Sequence, residues 1–512
     1  MLFRSLLGTA DSQARVLPSQ PPTGAADAVA LDLARGEAES VQLTLRAAPG
    51  TDYRDLRLEA EPLVGPGGAT LAAPEWQQVG YVWLDHLQPH PADPGARAGW
   101  WPDPLLPVDR FDLDPGFTQA LWVTVRAPAG QAPGEYSGAL RLVGPAGELH
   151  RVALTVTVHP FTLPMRPSLK TAFALMDGFL ERVYGRERLP EIRRRYGDFV
   201  LDHRLAVDDI SRTDPPDLDD LRAWDDRQSY FNVLNLVEQR GDAAWRCWSE
   251  LDWYTPEHLA ELEARLADYV PRMRAAGLEA PAYVYTFDER GEEFYPTIRE
   301  VFGMVRERFG LRTFSTARVP QDPAVLSDLQ IDAICPLTPG YDREAADRCR
   351  AAGHEVWAYV CLGPRYPNAN FLADHPLVES RVIWWQAFDQ RVDGFLLWGL
   401  NIWDLPGNDR PLDLSAGPRV DWSITTGGEY AWLHGDGRLL YAGPDGPVGS
   451  VRLANIRDGL EDYEYLRLAT ERDPVTATAV LARITTGWSD FSREPDAVRA
   501  ARAELAQIIG AE

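Results

Sequence analysis

The sequence predicts a multidomain chain of β plus α/β class: an N-terminal β-sandwich, then a (β/α)8 TIM-type barrel with C-terminal helices. Three observations predict it. Short apolar runs of period two recur through the first 160 residues. A proline-rich break follows at 161–167. Strand-like runs then alternate with amphipathic stretches to about residue 400, the pattern of a parallel sheet with crossover helices. The expected divisions are 1–160, a linker at 161–167, and a barrel domain at 168–512.

In the first part, Val41, Leu43 and Leu45 alternate with Gln42, Thr44 and Arg46. Leu121, Val123 and Val125 alternate with Trp122 and Thr124, and Val152, Leu154, Val156 and Val158 with Ala153, Thr155 and Thr157. Period two sends one face to a core and the other outward. Breaks rich in Gly and Pro at 65–68, 128–134 and 144–147 separate the runs. Pro160, Pro164 and Pro167 then end the pattern, because proline donates no ladder hydrogen bond.

Eight candidate strands follow, at 171–175, 205–210, 231–237, 282–287, 312–316, 332–335, 356–361 and 394–400. Thr255-Pro256-Glu257 reads as an N-cap, an N1 proline and an acidic first turn. Leu259, Leu262, Leu266 and Val270 continue it at helical spacing. Eight strands in series suggest a closed barrel; a doubly wound open sheet is the alternative. A loop rich in Gly and aromatics spans about 403–448, and helical segments run on to the end.

Composition narrows the function. The chain has 512 residues, 45% hydrophobic, and a net charge of -25. Such a surface repels nucleic acid and anionic membranes, so neither is an expected partner. Lys170 is the sole lysine, so no P-loop exists, and there is no GxGxxG after a strand and no GxSxG elbow. Nine histidines are scattered without an HExxH pattern; neither a metal nor another cofactor is expected. Cys247, Cys335, Cys349 and Cys361 form no CxxC pair and read as reduced thiols. The short apolar run at the N-terminus makes cytoplasmic the default expectation.

The segment Tyr283-Val284-Tyr285-Thr286-Phe287-Asp288-Glu289-Arg290 is an apolar strand ending in two adjacent carboxylic residues. Strand C-terminal ends carry the active site in a (β/α)8 barrel. Repulsion between neighbouring carboxylates favours keeping a proton on one, as an acid for a leaving oxygen requires. Tyr359, Trp398, Asn401 and Trp403 lie at or past the seventh and eighth candidate strand ends. Aromatic faces and an amide suit a sugar, although single large aromatics are more often core. Trp384 and Trp385, inside a helix, read as packing residues. A carbohydrate is the expected partner. A retaining glycosidase of the ordinary kind needs a second carboxylate about 5 Å from the acid. The seventh strand ends in Ala358-Tyr359-Val360-Cys361, with no carboxylate. The adjacent pair suits substrate assistance instead, in which the sugar's own 2-acetamido oxygen attacks C1.

Three stretches carry a family resemblance. They are 133–138 with 161–173; 393–403, Asp393-Gly394-Phe395-Leu396-Leu397-Trp398-Gly399-Leu400-Asn401-Ile402-Trp403; and Gly435-Asp436-Gly437 through Tyr441, followed by 450–453 and 457–466. In these the chain resembles glycoside hydrolase family 123 and the wider set of proteins with the domain of unknown function 4091. The resemblance implies an N-terminal β-sandwich, a (β/α)8 barrel and β-N-acetylgalactosaminidase activity by the substrate-assisted route. It places the family's catalytic pair on Asp288 and Glu289. It also implies a tyrosine that binds the acetamide: Tyr341 is the candidate, with Tyr359 and Tyr285 competing. Asp458 and Glu461 read as structural, pinning the helix that closes the barrel. Two other functions remain open. One is a glycosidase for sugars without an acetamide, inverting, with Glu289 and a remote carboxylate such as Asp404. The other is a carbohydrate-binding protein without catalysis.

Overall fold

The computed structural model describes residues 5–24, 27–48, 50–51, 53–88, 90–93, 95–237 and 250–511. Cys247 lies outside them. The three other cysteines are free thiols.

The N-terminal part is built from two antiparallel-rich sheets. One has five strands in the order Ser5–Asp11, Glu37–Ala47, Thr118–Ala127, Glu75–Leu84 and Gly99–Leu106. The other is seven-stranded; its main path runs Ala28–Arg35, Gly147–Thr162, Gly134–Gly144, Tyr53–Ala60 and Phe111–Leu113. The alternating residues meet as expected: Leu43, Leu45, Leu121 and Val123 from the first sheet share a core with Leu140, Val152, Leu154 and Val156 from the second. The opposite face of the first sheet departs from expectation. Gln42, Thr44 and Trp122 are buried as well. That face does not meet water; Trp122 and Tyr81 pack against Val451 and Ala454 of a C-terminal helix. The strand Gly147–Thr162 runs slightly past the expected boundary. Its register against Ala28–Arg35 breaks between Val158 and Thr162, where Pro160 has no amide to donate.

Strand segments occur at all eight expected places beyond this point. They are Lys170–Ala174, Val207–Asp208, Phe231–Asn235, Ala282–Tyr285, Arg312–Thr316, Ala333–Cys335, a seventh in two pieces (Glu355–Val356 and Ala358–Tyr359), and Gly394–Leu397. Every ladder among them is parallel. They form two sheets. One runs second, first, eighth, seventh; the other runs third, fourth, fifth, sixth, seventh. The two pieces of the seventh strand therefore belong to different sheets. On the other side no ladder joins the second strand to the third among the described residues. Side chains bridge that gap: Asn232 Nδ2 donates to Asp209 O at 3.0 Å, and Asn235 Nδ2 to Ile210 O at 2.7 Å. Asp208 Oδ1 accepts from Asn232 N at 2.7 Å.

Helices separate successive strands. The longest of these, Pro256–Ala275, is capped by Thr255, whose hydroxyl accepts from His258 N, and it buries Leu262, Leu266 and Val270 as the spacing predicts. Three helices, Val451–Arg472, Pro474–Ile484 and Pro495–Gly510, end the chain. The first is buried along nearly its whole length. It is tied to the N-terminal sheets by ions. Arg381 forks onto Asp462 at 2.7 and 2.9 Å and onto Glu39 at 3.0 and 3.2 Å. Arg204 Nε donates to Glu461 at 2.9 Å, and Arg457 to Asp458 at 2.6 and 2.9 Å. Glu461 also accepts from Ala38 N at 3.2 Å. Glu461 pins the helix as read, whereas Asp458 bonds its own helix neighbour Arg457 and lies 3.8 Å from Arg381.

Candidate active site

The fourth strand ends at Tyr285, and the chain then turns through a strained path. Phe287 has φ 60° and Glu289 φ 52°. Left-handed backbone at a bulky non-glycine residue is costly and persists only where its surroundings enforce it. Thr316, at the end of the fifth strand, supplies much of that enforcement. Glu289 N donates to Thr316 O at 2.9 Å and to its hydroxyl at 3.1 Å. The same hydroxyl donates to Asp288 Oδ1 at 2.5 Å, and Tyr285 OH donates to that oxygen at 2.6 Å. Asp288 is thereby fixed by two buried hydroxyls, while Glu289 stays exposed.

Glu289 reaches across to the seventh strand, where Tyr359 OH donates to Glu289 Oε1. Burial first, and then Glu289, push the Tyr359 hydroxyl well above the ordinary tyrosine range. Two residues on, burial pushes the Cys361 thiol up to about 12, with Asp436 and Glu289 adding to it. Asp436 accepts from Trp398 Nε1 at 3.0 Å. Asp288, Glu289, Thr316, Tyr359, Cys361 and Trp398, with Asp436 bonded to Trp398, therefore converge where strands four, five, seven and eight end.

The other expected contacts are not met. Asn401 is fully buried, and its amide is spent on Met176: Met176 N donates to Oδ1 at 2.9 Å, and Nδ2 donates to Met176 O at 3.0 Å. Trp403 is buried between Tyr196 and Trp422, with Nε1 donating to Leu440 O at 2.8 Å. Tyr341 OH donates to Gln390 O at 2.9 Å and accepts from Arg350 at 3.0 Å, next to Trp488. Tyr359 and Tyr285, the competing tyrosines, are the two bonded to the carboxylate pair. Asp404 is paired with Arg438 at 2.6 Å. Trp384 and Trp385 are fully buried packing residues.

Sequence reasoning missed Thr316 and the side chain of Asp436. A hydroxyl closing an apolar strand at Phe314-Ser315-Thr316, and an aspartate between two glycines, were the available signals. It also missed a buried group. His90, His375 and Glu379 bring ligand-type atoms within 4.8 Å of one another, and His375 and Glu379 lie four apart on the chain. The bonding favours an ionic node over a cation. Arg493 Nε donates to Glu379 at 2.7 Å, and Ala92 N to His90 Nδ1 at 3.2 Å. Burial opposes the charge on Glu379, but bonds from both histidines and the Arg493 charge hold its carboxyl down at about 2.

A cavity of about 990 Å³ opens elsewhere, lined by Asp177, Asp209, Arg212, Asp220, Arg265 and Tyr269 among others; neither Asp288 nor Glu289 lines it. Among the described residues no helix is long and apolar enough to cross a membrane.

Residues 251–469, from just before the Pro256–Ala275 helix into the C-terminal helix, match the family model "Glycoside hydrolase 123, catalytic domain". By this match the chain is a glycoside hydrolase. A family 123 glycoside hydrolase from Clostridium perfringens, described in terms of glycolipid glycan hydrolysis, has a similar fold, with a TM-score of 0.72. The alignment covers 99% of this chain and 97% of that one at 11% identity. A family 39 glycoside hydrolase from Bacteroides cellulosilyticus WH2 aligns at 10% identity over 84% of this chain and 81% of that one, with a TM-score of 0.34. No curated protein matches the chain. The matched range contains the Asp288–Glu289 turn and every residue that converges on it.

Proposed function

We propose that this glycoside hydrolase is a retaining exo-enzyme for β-linked N-acetylhexosamine, GalNAc above all, and that it works by substrate assistance. The observation that carries the reading is the division of labour within the pair. Asp288 is held by two hydroxyls, while its exposed neighbour Glu289 meets a tyrosine where other barrels present a nucleophile. We read the two parallel sheets as one (β/α)8 barrel and the N-terminal sheets as a β-sandwich, divided at 161–167. The seventh strand shared by both sheets supports this.

In this reading each carboxylate has its own role. The acetamide oxygen attacks C1 as the glycosidic C–O bond breaks, and Glu289 gives its proton to the leaving oxygen. Asp288 accepts from the acetamide N–H and stabilises the positive charge that develops there. Water then attacks C1, the deprotonated Glu289 takes its proton, and the acetamide is restored. Preorganised groups are worth most where charge develops. The resemblance to family 123, and the solved relative's link to glycolipid glycans, support the substrate class.

Proton NMR of the first-formed sugar is the test. Two displacements leave a β product. An α product would mean single displacement by water and would favour an inverting enzyme for other sugars, using Glu289 with a remote carboxylate such as Asp404.

A further inference from the structure

The loop Gly435-Asp436-Gly437 is held rigidly, and its rigidity serves one side chain. Gly435 and Gly437 have φ of 85° and 66°, a region that strains residues with a Cβ. A Cβ on Gly435 would lie 2.7 Å from Arg452 Nη1, and one on Gly437 2.7 Å from Ile402 Cγ1. Arg452 clamps the loop by donating to Gly435 O at 3.0 Å, and Arg438 by donating to Asp436 O at 3.0 Å. The backbone therefore has almost no freedom to move Asp436.

The carboxylate itself is poorly served. Asp436 is 6% exposed, yet among the described residues Trp398 Nε1 is the donor that bonds it. The nearby arginines are engaged elsewhere: Arg452 with Asp103, and Arg438 with Asp404 and Thr426. A buried carboxylate with one neutral donor is costly unless something else bonds it. The cost shows in its titration, since burial pushes the carboxyl up to about 6. A clamped, under-bonded carboxylate beside a half-exposed tryptophan, within electrostatic reach of the thiol that Glu289 also faces, is arranged to receive hydroxyl donors.

We propose that Asp436 is a specificity residue of the glycosidase site, accepting hydrogen bonds from ring hydroxyls of the bound terminal sugar, with Trp398 orienting it. The proposal rests on the glycosidase reading of Asp288 and Glu289 but not on the acetamide. Hydroxyl-to-carboxylate bonds are charge-assisted and specific, and a site built around them discriminates strongly against analogues lacking the hydroxyl.

The test uses the full-length enzyme and whichever nitrophenyl glycoside the wild type hydrolyses fastest, with ring-deoxy versions of the same sugar. Asp436→Asn keeps an acceptor for Trp398 and removes the buried charge. Its kcat/KM should fall about 10- to 100-fold with no loss of thermal stability. One deoxy sugar should cost the wild type a similar factor and cost Asp436→Asn little more. Unchanged kcat/KM in Asp436→Asn would overturn the proposal. So would an equal loss on every deoxy sugar in both enzymes, the signature of a merely structural residue. If the wild type prefers a sugar without an acetamide, the substrate-assisted reading fails while the Asp436 test still stands.

Discussion

Thr316→Val isolates the support given to the carboxylate pair. Valine matches threonine in shape and removes only the hydroxyl, at a residue 1% exposed. Three things can then be followed. Glu289 N–H keeps its 2.9 Å bond to Thr316 O, so the strained turn survives. Asp288 keeps the Tyr285 hydroxyl at 2.6 Å. The lost hydroxyl takes with it the 2.5 Å bond to Asp288, the weaker 3.1 Å bond from Glu289 N and the 3.0 Å contact with Tyr285 OH. A hydrogen bond to a charged group is worth about 1.5–3 kcal/mol, and each 1.4 kcal/mol is roughly tenfold in rate. If Asp288 stabilises charge that appears only in the transition state, kcat should fall about 10- to 100-fold while KM changes little. Release of nitrophenolate from the preferred glycoside gives both constants, and thermal unfolding checks that the variant is folded. A folded variant with kcat within about threefold of wild type would refute the reasoning, because the orientation of Asp288 would then carry no catalytic weight.

Glu289→Gln should lose about 10²–10⁴-fold in kcat/KM on a substrate with a poor leaving group and much less on a nitrophenyl glycoside; equal losses on both would argue against an acid role. Asp288→Asn should bind a thiazoline mimic of the cyclised intermediate far more weakly than wild type, as inhibition constants would show; unchanged inhibition would remove Asp288 from the acetamide. Arg381→Ala removes the guanidinium that forks onto buried Glu39 and Asp462 and leaves them only Arg502, at 3.9 and 3.2 Å, as a shared cation among the described residues; it should cost about 3–5 kcal/mol, read as a lower urea midpoint. Burial raises the Asp209 carboxyl from 3.8 to about 7, so the folded state holds a proton there that the unfolded state releases. Stability from this group is present at low pH and is lost as pH rises from about 4 to 7. Asp209→Asn, which can still accept from Ser211 N, should match wild type in unfolding free energy near pH 4 and exceed it at pH 8 by up to about 4 kcal/mol, read from urea unfolding at each pH.

The strands and the carboxylate pair were legible because their signals are local. Period two at Val41, Leu43 and Leu45, the cap at Thr255, and the apolar run ending in Asp288 and Glu289 each lie within a few residues of sequence. Burial on both faces of Glu37–Ala47 was not legible. It depends on a helix more than 400 residues away in the chain. The fate of Asn401 and Trp403 was decided the same way. Their positions past the eighth strand suited a ligand, but the backbone of Met176 and the carbonyl of Leu440 reached them first. The sequence by itself determined which segments are strands and helices and which turn carries the acids, since periodicity and capping are short-range properties. The tertiary structure alone decided which polar side chains are spent on the fold and which remain for a substrate. Thr316, Tyr359 and Asp436 come from three separate strand ends and loops, and hydrogen bonding between groups distant in sequence is fixed only when the chain packs.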